Sequence, residues 1–361
     1  MSTLALVMIV KNEERCLEKC LSKIQHLVDK IYITDTGSDD RTVEIAKKFG
    51  AHITEYEWKN DFADARNYSL AQSDCDWNLV VDADEYLVSG MRKEVEEFLE
   101  NTKQIGAFQR NDVYVEYSSD EGDQLGMAYT YAARLIPRGI GFTGEVHEQV
   151  DSTLPIRAVQ LVFEHDGYLQ GGKGARNLEI LYEQNRKRPD DPYVLFQIAQ
   201  TLRNMKEFDQ AATYYEKFYR MVPLKGSGYR AEGIITYLYT LLELKRFENG
   251  FELIQNEKEY LSCHADFHFV CGLFYMQAIR ANTKKYIQYL PEIEASYLRC
   301  LNIGEVPLLQ GVAGCGSFKA AYNLGTWYEV SGNMKLAYHY YEQAAKEEYE
   351  PALRRLKELR K

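Results

Sequence analysis

Residues 77–88 read WNLVVDADEYLV. Trp77 to Val81 make an apolar run suited to a buried strand, and Asp82, Asp84 and Glu85 stand where that strand ends. Ionised carboxylates are costly to remove from water unless something positive meets them. Alternate residues of an extended chain point to the same side, so Asp82 and Asp84 can approach one cation. A hard divalent ion such as Mg²⁺ or Mn²⁺ takes oxygen ligands, usually one or two carboxylates together with the phosphates of a ligand. A bare D-x-D also occurs in solvated turns; the strand end is what gives this one weight.

Outward from that stretch, the first 88 residues alternate between strand-like and helix-like segments. LALVMIV (4–10) is a continuous apolar run, and NEERCLEKCLSKIQHLV (12–28) carries apolar residues at helical spacing, with Cys16 and Cys20 one turn apart on the inner face. KIYITDTGS (30–38) reads as a second strand, DRTVEIAKKFG (40–50) as a helix, AHITEYEW (51–58) as a short strand and DFADARNYSLAQS (61–73) as a helix. Such alternation predicts a mostly parallel sheet with helices on its faces, and ligands of these sheets sit at the carboxyl ends of the strands. Asn12–Glu13, Asp35–Ser38, Trp58 and Asp82–Glu85 all fall at those ends. Residues 100–170 are strand- and loop-rich and extend the sheet, and GGKG (171–174) marks a boundary.

Beyond that boundary the pattern becomes helical and repetitive. The segment 197–223 lies on 323–351 so that Ala199 meets Gly325, Leu202 meets Tyr328, Ala211 meets Ala337 and Tyr215 meets Tyr341, while YLYTLLELKRFENGFELI (237–254) puts Gly250 at the small position. Small residues let paired helices approach and large ones fill the gaps. The pattern resembles the tetratricopeptide repeat, whose period is about 34 residues; residues 255–320 fit it as a degenerate repeat with an insertion. The expected organisation is an α/β domain over 1–170, a linker and first helix over 171–188, and an all-α tetratricopeptide-like solenoid over 189–361. The solenoid is open to peptide binding, to a scaffolding role and to homodimerisation.

Composition narrows the function classes. The 361 residues carry a net charge of −11, which argues against a general nucleic-acid binder. No apolar run approaches the roughly 20 residues of a transmembrane helix, and seven cysteines without paired CxxC spacing suit reduced thiols in the cytoplasm.

MIVKNEERCLEKCL, VDKIYITDTGSDDRTVEIAKKFGA, WKNDFADARNYSL and WNLVVDADEYL, in that order, resemble glycosyltransferase family 2; RLIPRGIGFTGEVHEQV and FEHDGY carry the likeness to about residue 168. The resemblance implies the GT-A fold (Rossmann-like), a UDP-sugar donor, a Mg²⁺ or Mn²⁺ cofactor and inversion at the sugar. A family 2 domain joined to a repeat tail is similar to a bacterial subgroup that includes the sublancin-type peptide S-glycosyltransferases.

The resemblance also implies site residues. Asn12 and Glu13 follow the first strand beside the nucleotide, and Asp35, with Thr36 and Ser38, meets uracil or ribose edges. Arg66 lies near the diphosphate, whose oxygens suit its planar fork. Asp82, followed by Ala83, holds ribose or the metal, Asp84 holds the metal directly, and His165 completes the metal site. Inversion needs a base for the acceptor proton. Glu148 of VHEQV is the first choice and Glu145 the second, with His147 orienting the base or donating to phosphate. Trp58 is a stacking candidate and Phe62 reads as core. The expected acceptor is a peptide or protein side chain; a cell-envelope glycan or lipid core is the alternative within the same chemistry. A non-catalytic nucleotide-sugar-sensing scaffold is the alternative from another class.

Overall fold

The computed structural model describes residues 2–118, 122–167, 173–225 and 227–360, so Gly171 and Gly172 of the GGKG segment and Tyr168 of FEHDGY lie outside the described residues. The chain forms two compact units, residues 1–116 with 127–184 and residues 117–126 with 185–361.

In the first unit, β1 (Leu4–Val10), β2 (Lys30–Asp35), β3 (His52–Glu55) and β4 (Trp77–Val80) alternate with α1 (Leu17–Ile24), α2 (Thr42–Lys48) and α3 (Phe62–Gln72). β5 (Glu85–Ser89), α4 (Arg92–Leu99), β6 (Ile105–Ser118), β7 (Gly122–Pro137), a small ribbon of β8 (Phe142–Thr143) and β9 (Gln149–Val150), β10 (Ile156–His165) and α5 (Lys173–Lys187) follow. Among the described residues the main sheet runs β3-β2-β1-β4-β7-β6-β10-β5. β3, β2, β1 and β4 are mutually parallel, as are β6 and β10, whereas β7 runs antiparallel to β4 and β5 antiparallel to β10. This is the mostly parallel α/β architecture expected.

The unbroken apolar run of β1 has a direct cause. Leu4, Leu6, Met8 and Val10 pack into one core cluster, and Ala5 and Val7 into a second on the opposite face. A strand covered on both sides has no polar alternation to show. Cys16 and Cys20 join the first cluster, each 1% exposed. The register pairs Val10 with Asp35 and Val7 with Val80, so the chain leaves β1, β2 and β4 along one edge. β10 brings His165 opposite Glu85 on one side and Asp112 on the other. α3 begins where the Asp61 side chain accepts from the backbone N–H of Asp64 at 2.9 Å, which satisfies one of the donors every helix start leaves open.

β5 was not anticipated. The acids after β4 read as a terminal turn, yet Glu85, Tyr86 and Leu87 are buried and pair with β10 at the far side of the sheet. The deciding partner lies about eighty residues downstream, out of reach of local pattern.

The second unit is helical, from α6 (Pro192–Asn204), α7 (Phe208–Met221), α8 (Arg230–Glu243) and α9 (Phe247–Glu257) through α10 (Ala265–Ala281), α11 (Thr283–Tyr286) and α12 (Leu290–Ile303) to α13 (Phe318–Val330), α14 (Met334–Ala345) and α15 (Glu350–Leu359). The aligned positions do what the repeat pattern requires. Ala199, Ala211 and Ala337 are fully buried, and Tyr215 and Tyr341 fill the space between helices. At Gly250 a Cβ would stand 1.9 Å from the ring of Phe274. Gly250→Ala should therefore overpack the α9–α10 contact and destabilise this unit by about 1–3 kcal/mol, read as faster amide hydrogen exchange over α9 and α10; unchanged exchange would show that the helices can separate freely there. No helix among the described residues is long and apolar enough to cross a membrane.

Candidate active site

The two loops that follow β1 and β2 are knitted together. Asn12, in the left-handed region at φ 55°, donates its backbone N–H to Ser38 Oγ at 2.9 Å and accepts from Asp39 N at 2.9 Å through its side chain. The N–H of Glu13 reaches Thr42 Oγ1 at 2.7 Å. Asp35, buried, accepts from the backbone of Gly37 and Ser38, and Thr36 donates its hydroxyl to the carbonyl of Val10 at 3.0 Å. Asp35, Thr36 and Ser38 thus all hold the turn, and the Thr36 hydroxyl is spent on it.

Next to these loops lies a chain of alternating charges. Arg66 donates Nε to Glu148 and Nη2 to Asp82 Oδ1, the latter at 2.7 Å. Arg134 reaches Asp82 Oδ2 at 2.7 Å and Glu85 at 3.2 Å. Arg110 meets Glu85 at 3.1 Å and Asp112 at 2.8 Å. Asp112 Oδ1 lies 2.7 Å from His165 Nδ1, and His165 Nε2 faces Asp84 Oδ1 at 3.7 Å. Buried ions persist only when paired in this way. Burial opposes ionisation of Asp82, but the charges of Arg134 and Arg66 outweigh it and hold the carboxyl well below the usual carboxylate range. Burial likewise disfavours a charged His165, while its bonds to Asp112 and Asp84 prevail and push the imidazole up to about 9.

The acids of WNLVVDADEYLV thus have different surroundings. Both oxygens of Asp82, the residue expected to hold ribose or the metal, lie on arginines. Asp84, 6% exposed, stands 3.7 Å from His165, the other residue expected at the metal, with Ala83 buried between the acids. The pair is kept open by Gly167: a Cβ there would sit 2.4 Å from His165 Nε2 and 2.5 Å from Asp84 Oδ2. A carboxylate together with an imidazole that has given up its proton would suit Mn²⁺ completed by phosphate oxygens, whereas Mg²⁺ would rest on the carboxylate and phosphate oxygens alone. Among the described residues no three His, Cys, Asp or Glu side chains gather as a closed metal site, and an ion shared with a ligand does not need one. Arg66 Nη1 is buried without a hydrogen-bond partner among the described residues, a donor that an anionic ligand would satisfy.

On the other flank are the acceptor-side candidates. Glu148 is nearly enclosed, its side chain 7% exposed and one oxygen on Arg66. Glu145 is half-buried and accepts from the Gln184 amide on α5. His147 adopts φ 52°, an uncommon backbone for a non-glycine residue, and burial pushes its pKa down, favouring the neutral ring. Trp58 packs edge-on against Phe62 with centroids 4.7 Å apart and is half-buried.

Sequence reasoning missed Arg110, Asp112 and Arg134; it offered Glu85 or Asp61 as a salt-bridge partner of Arg66, whereas Glu85 lies on Arg110 and Arg134 and Arg66 on Asp82 and Glu148. A signal existed: Arg110 and Asp112 are alternate residues inside a strand, hence on one face, and Arg134 interrupts an otherwise apolar strand end.

Residues 5–143 match the family model for glycosyl transferase family 2. The match covers most of the α/β part of the chain and makes that part similar to a family 2 glycosyltransferase domain. A TPR repeat-containing protein of Synechococcus elongatus is 43% identical over 88 residues, covering 24% of this chain and 22% of that protein. The SPbeta prophage-derived glycosyltransferase SunS of Bacillus subtilis is 28% identical over 228 residues, covering 60% of this chain and 53% of that protein. An uncharacterised glycosyltransferase of Rickettsia bellii is 32% identical over 111 residues, covering 30% and 34%. The chain thus spans between about a fifth and about a half of these relatives.

Proposed function

We propose that the chain transfers a sugar from a UDP-sugar to a peptide or protein side chain, with inversion and with Mg²⁺ or Mn²⁺ bound. The observation that carries this reading is the Asp84–His165 pair, held open by Gly167 at the strand ends of a family 2 domain. The resemblance of the family 2 and repeat-tail arrangement to the sublancin-type peptide S-glycosyltransferases supports a peptide acceptor. A divalent ion on Asp84 and His165 would neutralise charge on the departing diphosphate.

This chain's own residues do the rest. The turns at Asn12–Glu13 and Asp35–Ser38 bind the nucleoside end, and Arg66 offers Nη1 to a phosphate oxygen while its other nitrogens stay fixed by Glu148 and Asp82. The Glu148 side chain is 7% exposed and held by the Arg66 guanidinium, so the acceptor proton is assigned to Glu145, which accepts from a neutral amide. Glu148 then positions Arg66, and Gln184 holds Glu145.

Release of UDP from a panel of UDP-sugars, with and without Mn²⁺, tests the reading. Turnover should vanish with EDTA and return with Mn²⁺; no turnover of any UDP-sugar with any peptide, protein or glycan acceptor would end it. Glu145→Gln should lower kcat about 10²–10⁴-fold, the usual range for a lost general base, while UDP still binds. Glu148→Gln should instead weaken UDP binding. The opposite split would return the proton to Glu148.

A further inference from the structure

Arg15 has no role in the site as described so far, yet it joins its two halves. Its guanidinium grips Asp166 with both terminal nitrogens, at 3.0 and 2.9 Å. The hydroxyl of Tyr86 donates to the same carboxylate at 3.1 Å. Tyr86, 2% exposed, is fixed on β5, and Lys19 Nζ sits 3.5 Å from its ring centroid. Asp166 is the residue between His165 and Gly167, and its backbone N–H reaches the carbonyl of Asp84 at 3.3 Å. One carboxylate therefore draws together the turn after β1, the strand after the Asp82–Asp84 turn, and the His165–Gly167 end of β10.

Arg15 lies two residues after Glu13 and three after Asn12, on the loop whose backbone is tied to Ser38 and Thr42. Asp166 is a direct side-chain link from that loop to the segment that carries His165 and Gly167. A ligand reaching from the Asn12–Ser38 turns to the Asp84–His165 pair needs both at a fixed separation. Residues holding a metal ligand's loop from outside set its affinity without touching the ion.

We infer that Arg15 and Asp166 form a positioning clasp that holds the nucleoside-binding turn and the Asp84–His165 pair at the spacing a metal-bound nucleoside diphosphate requires. The inference rests on the transferase reading above and adds two residues to it. Arg15 is half exposed, its side chain at 49%, so the clasp adds little to overall stability, since exposed ion pairs contribute little. Its effect falls on ligand binding. A lysine cannot reproduce the two-pronged grip, so the charge alone does not suffice.

The test follows free Mn²⁺ by its paramagnetic resonance signal while the full chain is titrated with the ion in the presence of UDP. Arg15→Ala and Asp166→Asn should each weaken Mn²⁺–UDP binding about 10–100-fold with an unchanged thermal midpoint. Arg15→Lys should recover only part of that loss. The double variant should be no worse than either single one, because both remove the same contact. Arg41→Ala, which breaks an exposed pair with Glu14 on the same loop, should bind as the parent does. Parent-like binding by Arg15→Ala or Arg15→Lys, or losses that add in the double variant, would overturn the clasp and leave the transferase reading standing. A parent chain that holds neither Mn²⁺ nor UDP would overturn both.

Discussion

Asp84→Asn should abolish sugar transfer, lowering kcat/KM about 10³-fold or more and leaving the fold in place. The substitution keeps side-chain size and leaves untouched the Asp84 carbonyl that accepts from Asp166. It removes the carboxylate charge that faces His165 Nε2. An amide oxygen is a much poorer ligand for a hard divalent ion than a carboxylate, and the neighbouring acids cannot substitute. Asp82 is held by Arg66 and Arg134, Glu85 by Arg134 and Arg110, and Asp112 by Arg110 and His165. Calorimetric titration with UDP and Mn²⁺ should show binding weakened about 100-fold, with Mn²⁺-free UDP binding little changed. Gly167→Ala offers a second route to the same loss, because its methyl group would occupy the gap between His165 Nε2 and Asp84 Oδ2. If both variants bind Mn²⁺ and UDP as the parent does, the ion sits elsewhere and the central assignment fails.

What the sequence made legible here follows physical range. β1 reads from its apolar run because burial on both faces leaves a local mark; Asp84 reads from the strand end of DAD, and His165 only from the family resemblance that FEHDGY carries. Small–large alternation exposed the tail, since Ala199, Ala211 and Gly250 must let neighbouring helices approach. The partners of the acids did not read. Arg134 reaches Asp82 across 52 positions and Arg66 reaches Glu148 across 82, and neither spacing leaves a periodic trace. Two acids at alternate positions therefore looked like a matched pair for one cation, although the fold separates them, one into an arginine network and one beside a histidine. Glu148 was singled out by its likeness to an acceptor-side acid motif, and its enclosure and its tie to Arg66 are products of tertiary packing that a motif does not carry.

Buried charge decides the second large effect, in the helical unit. Glu257→Ala should destabilise that unit by about 3–5 kcal/mol, the usual cost of stranding one partner of a buried ion pair. Arg230, at the start of α8, and Glu257, at the end of α9, are 3% and 5% exposed and share two hydrogen bonds of 2.8 Å. Tyr219 donates to the same carboxylate at 2.8 Å, and the guanidinium lies 4.5 Å from the ring of Tyr260. Removing the carboxylate leaves a guanidinium that keeps its charge at any working pH, enclosed where water cannot solvate it. Arg230→Met combined with Glu257→Leu should recover most of the loss, because apolar residues of similar volume remove both charges together. In a chain of two units a single global transition is not a clean measure, so amide hydrogen exchange over 230–257 is the readout. Exchange should rise steeply in Glu257→Ala and return towards the parent's rate in the double variant. Equal protection in all three would mean that the pair is dispensable and that small–large packing alone holds α8 to α9.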